Sequence, residues 1–174
     1  AFQEADTIGI TSSCTKHNYL VKDINDLENT IAEGFYVARS GRPGPVVIDL
    51  PKDVQNSITN YKGLKVKSMT SYKPAKKAKL NNIKEAIDII LKAKKPVIYS
   101  GGGVINSGQK ASSTLTKLVD YLNIPITQTL MGLGAVSAKN KNFIGMLGMH
   151  GTYEANMAMH DCDVMLCVGA RFDD

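Results

Sequence analysis

Two cations flank a short apolar segment that has the composition of a buried strand. The segment spans residues 46–50, and Pro/Gly turns bracket it on both sides. Arg42 lies in the turn before it, and Lys52 follows it almost directly. In open α/β sheets, ligands bind in the crevice beyond the carboxyl ends of the strands. Lys52 is therefore predicted to face a ligand, and the alternative is a solvated loop lysine.

Arginine is scarce in this chain, which has three arginines against eighteen lysines. A protein that uses arginine so rarely is expected to need its planar, five-donor fork where it occurs. Arg42 and Arg171 both fall in segments that have other signs of function, so we interpret them as candidate ligand contacts.

Glycine-rich or polar turns follow three apolar segments in the second half of the chain. They lie at residues 101–103, 129–134 and 169–173. Glycine allows a phosphate or sugar to approach the backbone, so the three turns together predict a nucleotide-shaped crevice. The first turn lacks the dinucleotide-binding fingerprint, because Asn106 stands where the third glycine belongs. Simple tight turns are the alternative interpretation.

Three further segments carry candidate groups, each with a plain structural alternative. Met149 could line an apolar wall and His150 could hydrogen-bond a ligand, or both could be structural. Phe2 and Gln3 are compatible with a pocket wall and a hydrogen-bonding group. Residues 15–18 (Thr-Lys-His-Asn) are either functional or a polar loop. We find no nucleophile–His–Asp constellation and expect no metal site in this chain.

The elements that must position these groups alternate between strand and helix patterns, which predicts an α/β fold of parallel sheets flanked by helices. Strands are predicted at residues 8–10, 46–50, 96–100, 124–127 and 164–168. Helical spacing recurs at Leu27, Ile31, Phe35 and Ala38, and Gly41 is a natural helix stop. A second helical pattern begins near residue 81, where Asn82 and Glu85 resemble a capping box.

Periodicity divides the chain into three parts. Residues 1–58 are predicted to be the end of one α/β domain, residues 59–80 an interdomain linker, and residues 81–174 most of a second, Rossmann-like domain of the FAD/NAD-binding kind. The abrupt ends predict that the chain is an internal fragment.

Composition excludes several classes of protein. The 174 residues are 43% hydrophobic with a net charge of +5. No apolar run approaches the ~20 residues of a membrane span, and no signal peptide is visible. Eleven lysines lie between Lys62 and Lys95, but with no arginine and with Tyr72 as the one aromatic residue among them, they predict a solvated surface rather than a nucleic-acid site. Three cysteines are too few and too irregular for a disulfide framework. We expect a cytoplasmic protein with neither a nucleic-acid nor a membrane partner.

Seven segments together carry a resemblance to a known family. They are residues 1–4 (Ala-Phe-Gln-Glu), 15–21, 40–46 (Ser-Gly-Arg-Pro-Gly-Pro-Val), 50–55 (Leu-Pro-Lys-Asp-Val-Gln), 129–134, 146–152 (Met-Leu-Gly-Met-His-Gly-Thr) and 171–174 (Arg-Phe-Asp-Asp). In this order they resemble the catalytic (large) subunits of acetolactate synthase, which is also called acetohydroxyacid synthase. This family is one of the thiamine-diphosphate-dependent enzymes. The 146–152 and 171–174 segments are more specific than the Pro-Gly-Pro and Pro-Lys-Asp segments.

The resemblance implies roles for individual residues. Phe2, Gln3 and Lys52 would act at the catalytic site, and Met149 and Asp174 would line the substrate channel. FAD, structural rather than redox-active, would contact Arg42, Gly102, Thr129, Leu130, Leu147, Gly148, Met149, His150, Gly169, Ala170, Arg171, Phe172 and Asp173.

The resemblance also implies an activity. A thiamine-diphosphate-dependent transferase of this kind decarboxylates pyruvate and ligates the two-carbon unit to pyruvate or 2-oxobutyrate. This is the first common step of valine and isoleucine biosynthesis. Thiamine diphosphate and Mg²⁺ would be held outside this chain, so the fragment alone is expected to be inactive. Alternatives are glyoxylate carboligase, pyruvate oxidase, or a non-catalytic nucleotide-binding domain.

The resemblance further implies an assembly. The active site would lie between subunits of a homodimer or homotetramer, and a small regulatory subunit is expected. In a eukaryote the compartment would be plastid or mitochondrial rather than cytoplasmic.

Overall fold

A computed structural model describes residues 5–63, 66, 69–75 and 77–172. The chain divides into two compact units, Ala1–Lys77 and Ala78–Asp174. Each unit is built around parallel strands, which confirms the predicted α/β fold class.

The first unit pairs two short parallel strands. In chain order its elements are α1 (Thr7–Thr11), β1 (His17–Leu20), a 3₁₀ turn (Ile24–Asp26), α2 (Leu27–Arg39), β2 (Val46–Asp49) and α3 (Lys52–Gln55). The register aligns His17 with Val46 and Leu20 with Asp49. Helix α2 packs closely on the pair, because a Cβ on Gly34 would come 3.0 Å from Ile48 Cδ1.

The structure contradicts one prediction for this unit, adds a strand that was not predicted, and shows which side of helix α2 is buried. Residues 8–10 belong to helix α1, not to a strand, because the Asp6 carboxylate caps the helix by accepting from Gly9 N at 2.9 Å. The polar segment at 15–18 leads into strand β1, which the polar pattern had hidden. Helix α2 forms as predicted, but Phe35 is 66% exposed and the side facing the strands carries Gly34 and Val37 instead.

The second unit is a four-stranded parallel sheet with helices. Its elements are α4 (Leu80–Lys92), β3 (Pro96–Ser100), α5 (Gly102–Asn106), α6 (Gln109–Leu122), β4 (Ile126–Gln128), a 3₁₀ turn (Leu130–Gly132), β5 (Phe143–Met146), α7 (Tyr153–Asp161) and β6 (Val164–Val168). The strand order is β5-β4-β3-β6. Because β4 and β6 flank β3 on opposite sides, the strand order reverses beside β3.

The core of this unit lies between the sheet and helices α5 and α6. Ile98, Val119 and Ile126 are fully buried in it, and Leu115 and Val136 join the same cluster. Burying such side chains supplies ~1.5–3 kcal/mol each. The core therefore anchors β3 and β4, whose carboxyl ends carry the candidate site.

Helix α4 starts one residue earlier than the pattern predicted and without the predicted capping box. It begins at Leu80, with Lys79 at the N-cap and no side-chain cap hydrogen bond, so Asn82 and Glu85 lie inside the helix. Helix α4 belongs to the second unit, and residues 59–63 and 69–75 belong to the first. Within the described residues, no helix has the length and apolarity needed to cross a membrane.

Candidate functional site

The four parallel strands of the second unit bring four loops to one edge of the sheet. The loops follow β3, β4, β5 and β6 directly. Most of the residues assigned to cofactor contacts lie on these loops or on the first residue of the helical turn that follows, namely Gly102, Thr129, Leu130, Leu147, Gly148, Met149, His150, Gly169, Ala170, Arg171 and Phe172. The strand order also reverses at this edge, which is where open α/β sheets bind ligands.

The loops after β3 and β6 are joined backbone to backbone. Gly101 N donates to Val168 O at 2.9 Å, and Gly103 N donates to Gly169 O at 3.0 Å. A Cβ on Gly101 would lie 2.4 Å from Gly169 O, and one on Gly169 would lie 2.8 Å from Val104 N. Glycine at these positions is therefore required by close packing, which holds the two loops together at the sheet edge.

The loop after β4 is shaped from inside by Gln128. This side chain is fully buried, accepting from Gly134 N at 3.0 Å and donating to Val136 O at 2.9 Å. The Thr129 hydroxyl accepts from Gly132 N at 3.0 Å and so caps the 3₁₀ turn that follows. Met131 is left 76% exposed at the edge.

The loop after β5 is held by Asn156. Asn156 Oδ1 accepts from Gly148 N at 3.1 Å, and its Nδ2 donates to Gly148 O at 3.0 Å. Gly148 has a φ of +114° and nothing within 4 Å of an added Cβ, so its backbone faces open space. Met149 is 91% exposed, and His150 is exposed beside it.

The loop after β6 presents an aromatic ring and an arginine. Phe172 has a φ of +56°, and its ring lies 5.7 Å from the Tyr99 ring, centroid to centroid. Burial raises the pKa of the Tyr99 hydroxyl. Arg171 precedes Phe172 on the same loop.

Sequence reasoning missed Gln128 and Asn156. The available signals were a glutamine ending an apolar strand and an asparagine four residues after Thr152. Neither signal is specific, because the partners of both side chains are backbone groups that only the folded loops bring within reach.

The candidate residues of the first unit lie at opposite ends of β2. Lys52 is exposed at the start of α3, just beyond the carboxyl end of the strand, where its sequence position predicted it. Arg42 is exposed in the turn that precedes the strand, so the two cations are separated by the ~10 Å length of β2. Phe2, Gln3, Asp173 and Asp174 lie outside the described residues.

The chemistry available at the sheet edge is that of binding. It offers open glycine backbone at Gly148, exposed apolar side chains at Met131, Met149 and Phe172, and a guanidinium at Arg171. Among the residues that the structure describes, no group of His, Cys, Asp and Glu side chains could hold a metal ion. The arrangement suits a flat, partly anionic ligand.

Known proteins match both the second unit and the whole chain. Residues 83–174 match the family model described as thiamine pyrophosphate enzyme, central domain. The chain is 48% identical to the acetolactate synthase isozyme 3 large subunit of Escherichia coli (strain K12). It is 49% identical to the acetolactate synthase large subunit of Buchnera aphidicola subsp. Schizaphis graminum and 45% identical to that of Haemophilus influenzae.

Each of these alignments covers 100% of this chain and 30% of the relative. The chain thus spans about a third of the length of the curated relatives it matches. Over half of the chain matches the family model, in the region that carries the four-stranded parallel sheet and its loops. The chain therefore belongs to the thiamine pyrophosphate enzyme family, and residues 83–174 are part of its central domain.

Proposed function

We propose that this chain is part of the catalytic subunit of an acetolactate synthase. The enzyme decarboxylates pyruvate and joins the two-carbon unit to pyruvate or 2-oxobutyrate, the first common step of branched-chain amino acid biosynthesis. The observation that carries this proposal is 45–49% identity, across the whole chain, to large subunits bearing that name. The four loops at the carboxyl edge of the second unit support it.

In this proposal the sheet edge of the second unit holds FAD as a structural cofactor. The residues present fit such a ligand. Open backbone at Gly148 admits close approach, and exposed Met131, Met149 and Phe172 can pack on a flat ring system. Arginine side chains suit a diphosphate, because the guanidinium fork matches its oxygens. Arg171 is the candidate at this edge, with Asp173 as a further contact. Arg42 is proposed as an FAD contact on the resemblance alone.

Substrate residues are proposed on different grounds. Lys52 would attract and orient the carboxylate of a 2-oxoacid by its charge, which its exposure beyond β2 supports. Gln3 would hydrogen-bond near the reacting carbon and Phe2 would form a wall. Met149 and Asp174 would line the channel by which substrate enters.

Thiamine diphosphate supplies the decarboxylation and carbon–carbon bond-forming chemistry when it is bound. We propose that it and Mg²⁺ are held by parts of the enzyme outside this chain, since the chain spans 30% of its relatives. Residues 1–58 would then end the pyrimidine-binding domain, 59–80 would be a linker, and 81–174 would begin the FAD-binding domain.

The proposed assembly is a homodimer or homotetramer with a small regulatory subunit. The name "large subunit" that the relatives bear supports a second, smaller subunit. A cytoplasmic location, or an organellar one in a eukaryote, is part of the same proposal.

The test uses the full-length protein that carries this chain, supplied with pyruvate, thiamine diphosphate and Mg²⁺, with and without FAD. Acetolactate is measured as acetoin after acid treatment. We expect FAD-dependent acetolactate formation without flavin reduction. Flavin reduction during turnover, or tartronate semialdehyde from glyoxylate, would instead identify a sister activity and overturn the proposal.

The same assay tests Lys52. Lys52→Ala should raise KM for pyruvate about 10-fold or more while FAD affinity stays unchanged, because a charged hydrogen-bond partner contributes ~1.5–3 kcal/mol. Lys22→Ala, which removes another exposed lysine of the same unit, is the matched control. Equal effects of the two variants would contradict the role of Lys52.

A further inference from the structure

The carboxyl end of helix α2 is neutralised by a lysine from a distant part of the first unit. Lys16 Nζ donates to Val37 O at 2.5 Å and to Ser40 O at 2.6 Å. Carbonyls in the last turn of a helix lack intrahelical partners and carry partial negative charge, so an ammonium group is well placed there. Lys16 lies one residue before strand β1, in a polar segment to which the proposed function gives no role.

A tyrosine from the predicted linker meets Lys16 at the same carbonyl. The Tyr72 hydroxyl donates to Ser40 O at 2.9 Å, and Lys16 Nζ lies 5.0 Å from the centroid of the Tyr72 ring. The Tyr72 ring also contacts Tyr36 of helix α2 edge-on, with centroids 6.4 Å apart. Ser40 O is thus held by two donors that come from separate segments of the chain.

These contacts define the backbone of the turn that carries Arg42. Gly41 has a φ of +58°, and a Cβ there would lie 2.6 Å from the Tyr72 hydroxyl. At the far end of the turn, Gly44 N donates to Ala38 O at 3.1 Å. Lys16 N also donates to Pro45 O at 2.8 Å, and a Cβ on Gly44 would lie 3.1 Å from Lys16 Cβ. Lys16 therefore contacts both ends of the turn at residues 40–45.

We propose that Lys16 and Tyr72 are positioning residues that hold Arg42 ready for an anionic group of its ligand. Arg42 is exposed in this turn, so its own side chain does not determine the backbone there. A guanidinium on a preorganised turn loses less conformational entropy on binding than one on a mobile turn. The proposal rests on the proposed function in one respect, which is that Arg42 contacts bound FAD.

The experiment measures two quantities in the full-length protein. Amide hydrogen exchange over residues 40–45 reports the turn itself, without any ligand. The dissociation constant for FAD, from quenching of flavin fluorescence, reports what Arg42 does. Lys16→Met removes the charge at similar length, and Tyr72→Phe removes only the hydroxyl. Lys73→Met and Tyr61→Phe are matched controls at exposed positions in the first unit.

We expect faster exchange over residues 40–45 in Lys16→Met and Tyr72→Phe, and no change in the two controls. Arg42→Met should weaken FAD binding about 10- to 100-fold, as the loss of a charged hydrogen-bond partner predicts. Lys16→Met should weaken FAD binding by no more than Arg42→Met does, and Tyr72→Phe should weaken it about 2- to 10-fold. In the Arg42→Met background both effects should disappear, because they act only through Arg42.

Unchanged exchange in both variants would overturn the proposal, and Tyr72→Phe keeps this test available should Lys16→Met fold poorly. If exchange is faster but Lys16→Met and Tyr72→Phe still weaken FAD binding in the Arg42→Met background, the two residues do not act through Arg42, and the proposal is overturned. Faster exchange with no effect of Arg42→Met on FAD would also overturn it. In that case the proposed cofactor contact has failed, while the hold of Lys16 and Tyr72 on the turn is still supported.

Discussion

At the scale of single residues, the need for glycine at position 101 comes from a contact rather than from a torsion angle. Gly101 has φ −115° and ψ −178°, an extended conformation that any residue adopts. What excludes a side chain is Gly169 O, 2.4 Å from the position of a Cβ. The opposite case is Gly108, whose φ is +86° with nothing near a Cβ.

We therefore predict that Gly101→Ala is the more damaging of two alanine substitutions. Its Cβ meets backbone that cannot move without separating the loops after β3 and β6, so overpacking should cost ~3 kcal/mol or more. Gly108→Ala, the control, should cost ~1–3 kcal/mol from backbone strain alone, because φ +86° with ψ 178° is a conformation that is essentially restricted to glycine. Thermal unfolding of the full-length protein measures both. Equal losses of stability would show that the close approach at Gly101 does not matter.

Asp163 shows how one exposed side chain can join two loops. Its carboxylate accepts from Lys94 N at 2.6 Å and from Lys95 N at 2.9 Å, which ties the start of β3 to the start of β6. These two backbone hydrogen bonds lower the pKa of Asp163. The carboxylate therefore stabilises the fold above the ordinary aspartate pKa of ~3.9, and this contribution is lost as pH falls through the lowered value.

We predict that Asp163→Asn lowers the apparent melting temperature at pH 7, and that the difference from wild type shrinks as pH falls below about 4. Melting curves of both proteins between pH 3 and pH 7 provide the measurement. Asp88→Asn, on the exposed helix α4, is the matched control and should have a smaller effect at pH 7. A difference that stays constant across this range would mean that the carboxylate charge is not involved.

At the scale of elements, two of the four candidate loops are each shaped by one amide side chain. Gln128 at the end of β4 and Asn156 in α7 hydrogen-bond backbone groups of the loops beside them. The strand determines where the loop begins and which way it leaves the sheet, and the hydrogen bonds of the amide side chain determine the conformation of the loop backbone. The position of a loop residue therefore depends on both the strand and the amide side chain.

We predict that Gln128→Leu destabilises the second unit by ~2–4 kcal/mol. The substitution leaves the buried Val136 O without its partner, which costs ~1–3 kcal/mol, and removes the hydrogen bond to the exposed Gly134 N, which contributes ~0.5–1.5 kcal/mol. Chemical denaturation followed by far-UV circular dichroism gives the loss, with hydrogen exchange over residues 129–136 to locate it. Gln109→Leu, exposed at the start of α6, is the control. A loss no larger than that of the control would show that Gln128 does not shape the loop.

At the scale of the whole molecule, much apolar surface in the two units is uncovered. On helix α4, Leu80 is 66% exposed and Leu91 is 69% exposed, and Ile83 and Ile87 are also exposed. Monomeric proteins rarely leave contiguous apolar patches of this kind in contact with water, and such patches usually mark a surface that another part of the protein or a partner covers. The buried core of the second unit correspondingly lies on β3, β4, the helices packed on them and the segment at residues 135–136.

We predict that residues 1–174, expressed alone, are marginally stable. Uncovered apolar surface contributes nothing to the free energy of folding. The isolated chain should therefore melt over a broad range, with a midpoint below ~45 °C, which is the lower end of the range for mesophilic domains. It should also bind a hydrophobic dye, whereas the full-length protein should melt cooperatively at higher temperature. A sharp transition of the isolated chain above about 60 °C would contradict this expectation.

Local sequence pattern predicted much of the architecture. Apolar segments bounded by glycine or proline turns located β2, β3, β4 and β6 to within two residues, because such segments have few alternatives to a buried strand. The parallel arrangement followed from strand–helix–strand alternation. Since carboxyl ends of parallel strands share one edge, the grouping of the candidate loops could be inferred from the sequence by itself.

Only the tertiary structure decided the features that depend on distant partners. Residues 8–10 form helix because Asp6 caps them, and residues 17–20 form a strand because β2 pairs with them. Lys16 and Tyr72 meet Ser40 over separations of 24 and 32 residues. No local pattern encodes such contacts, because each depends on where the rest of the chain places a backbone carbonyl or a neighbouring strand.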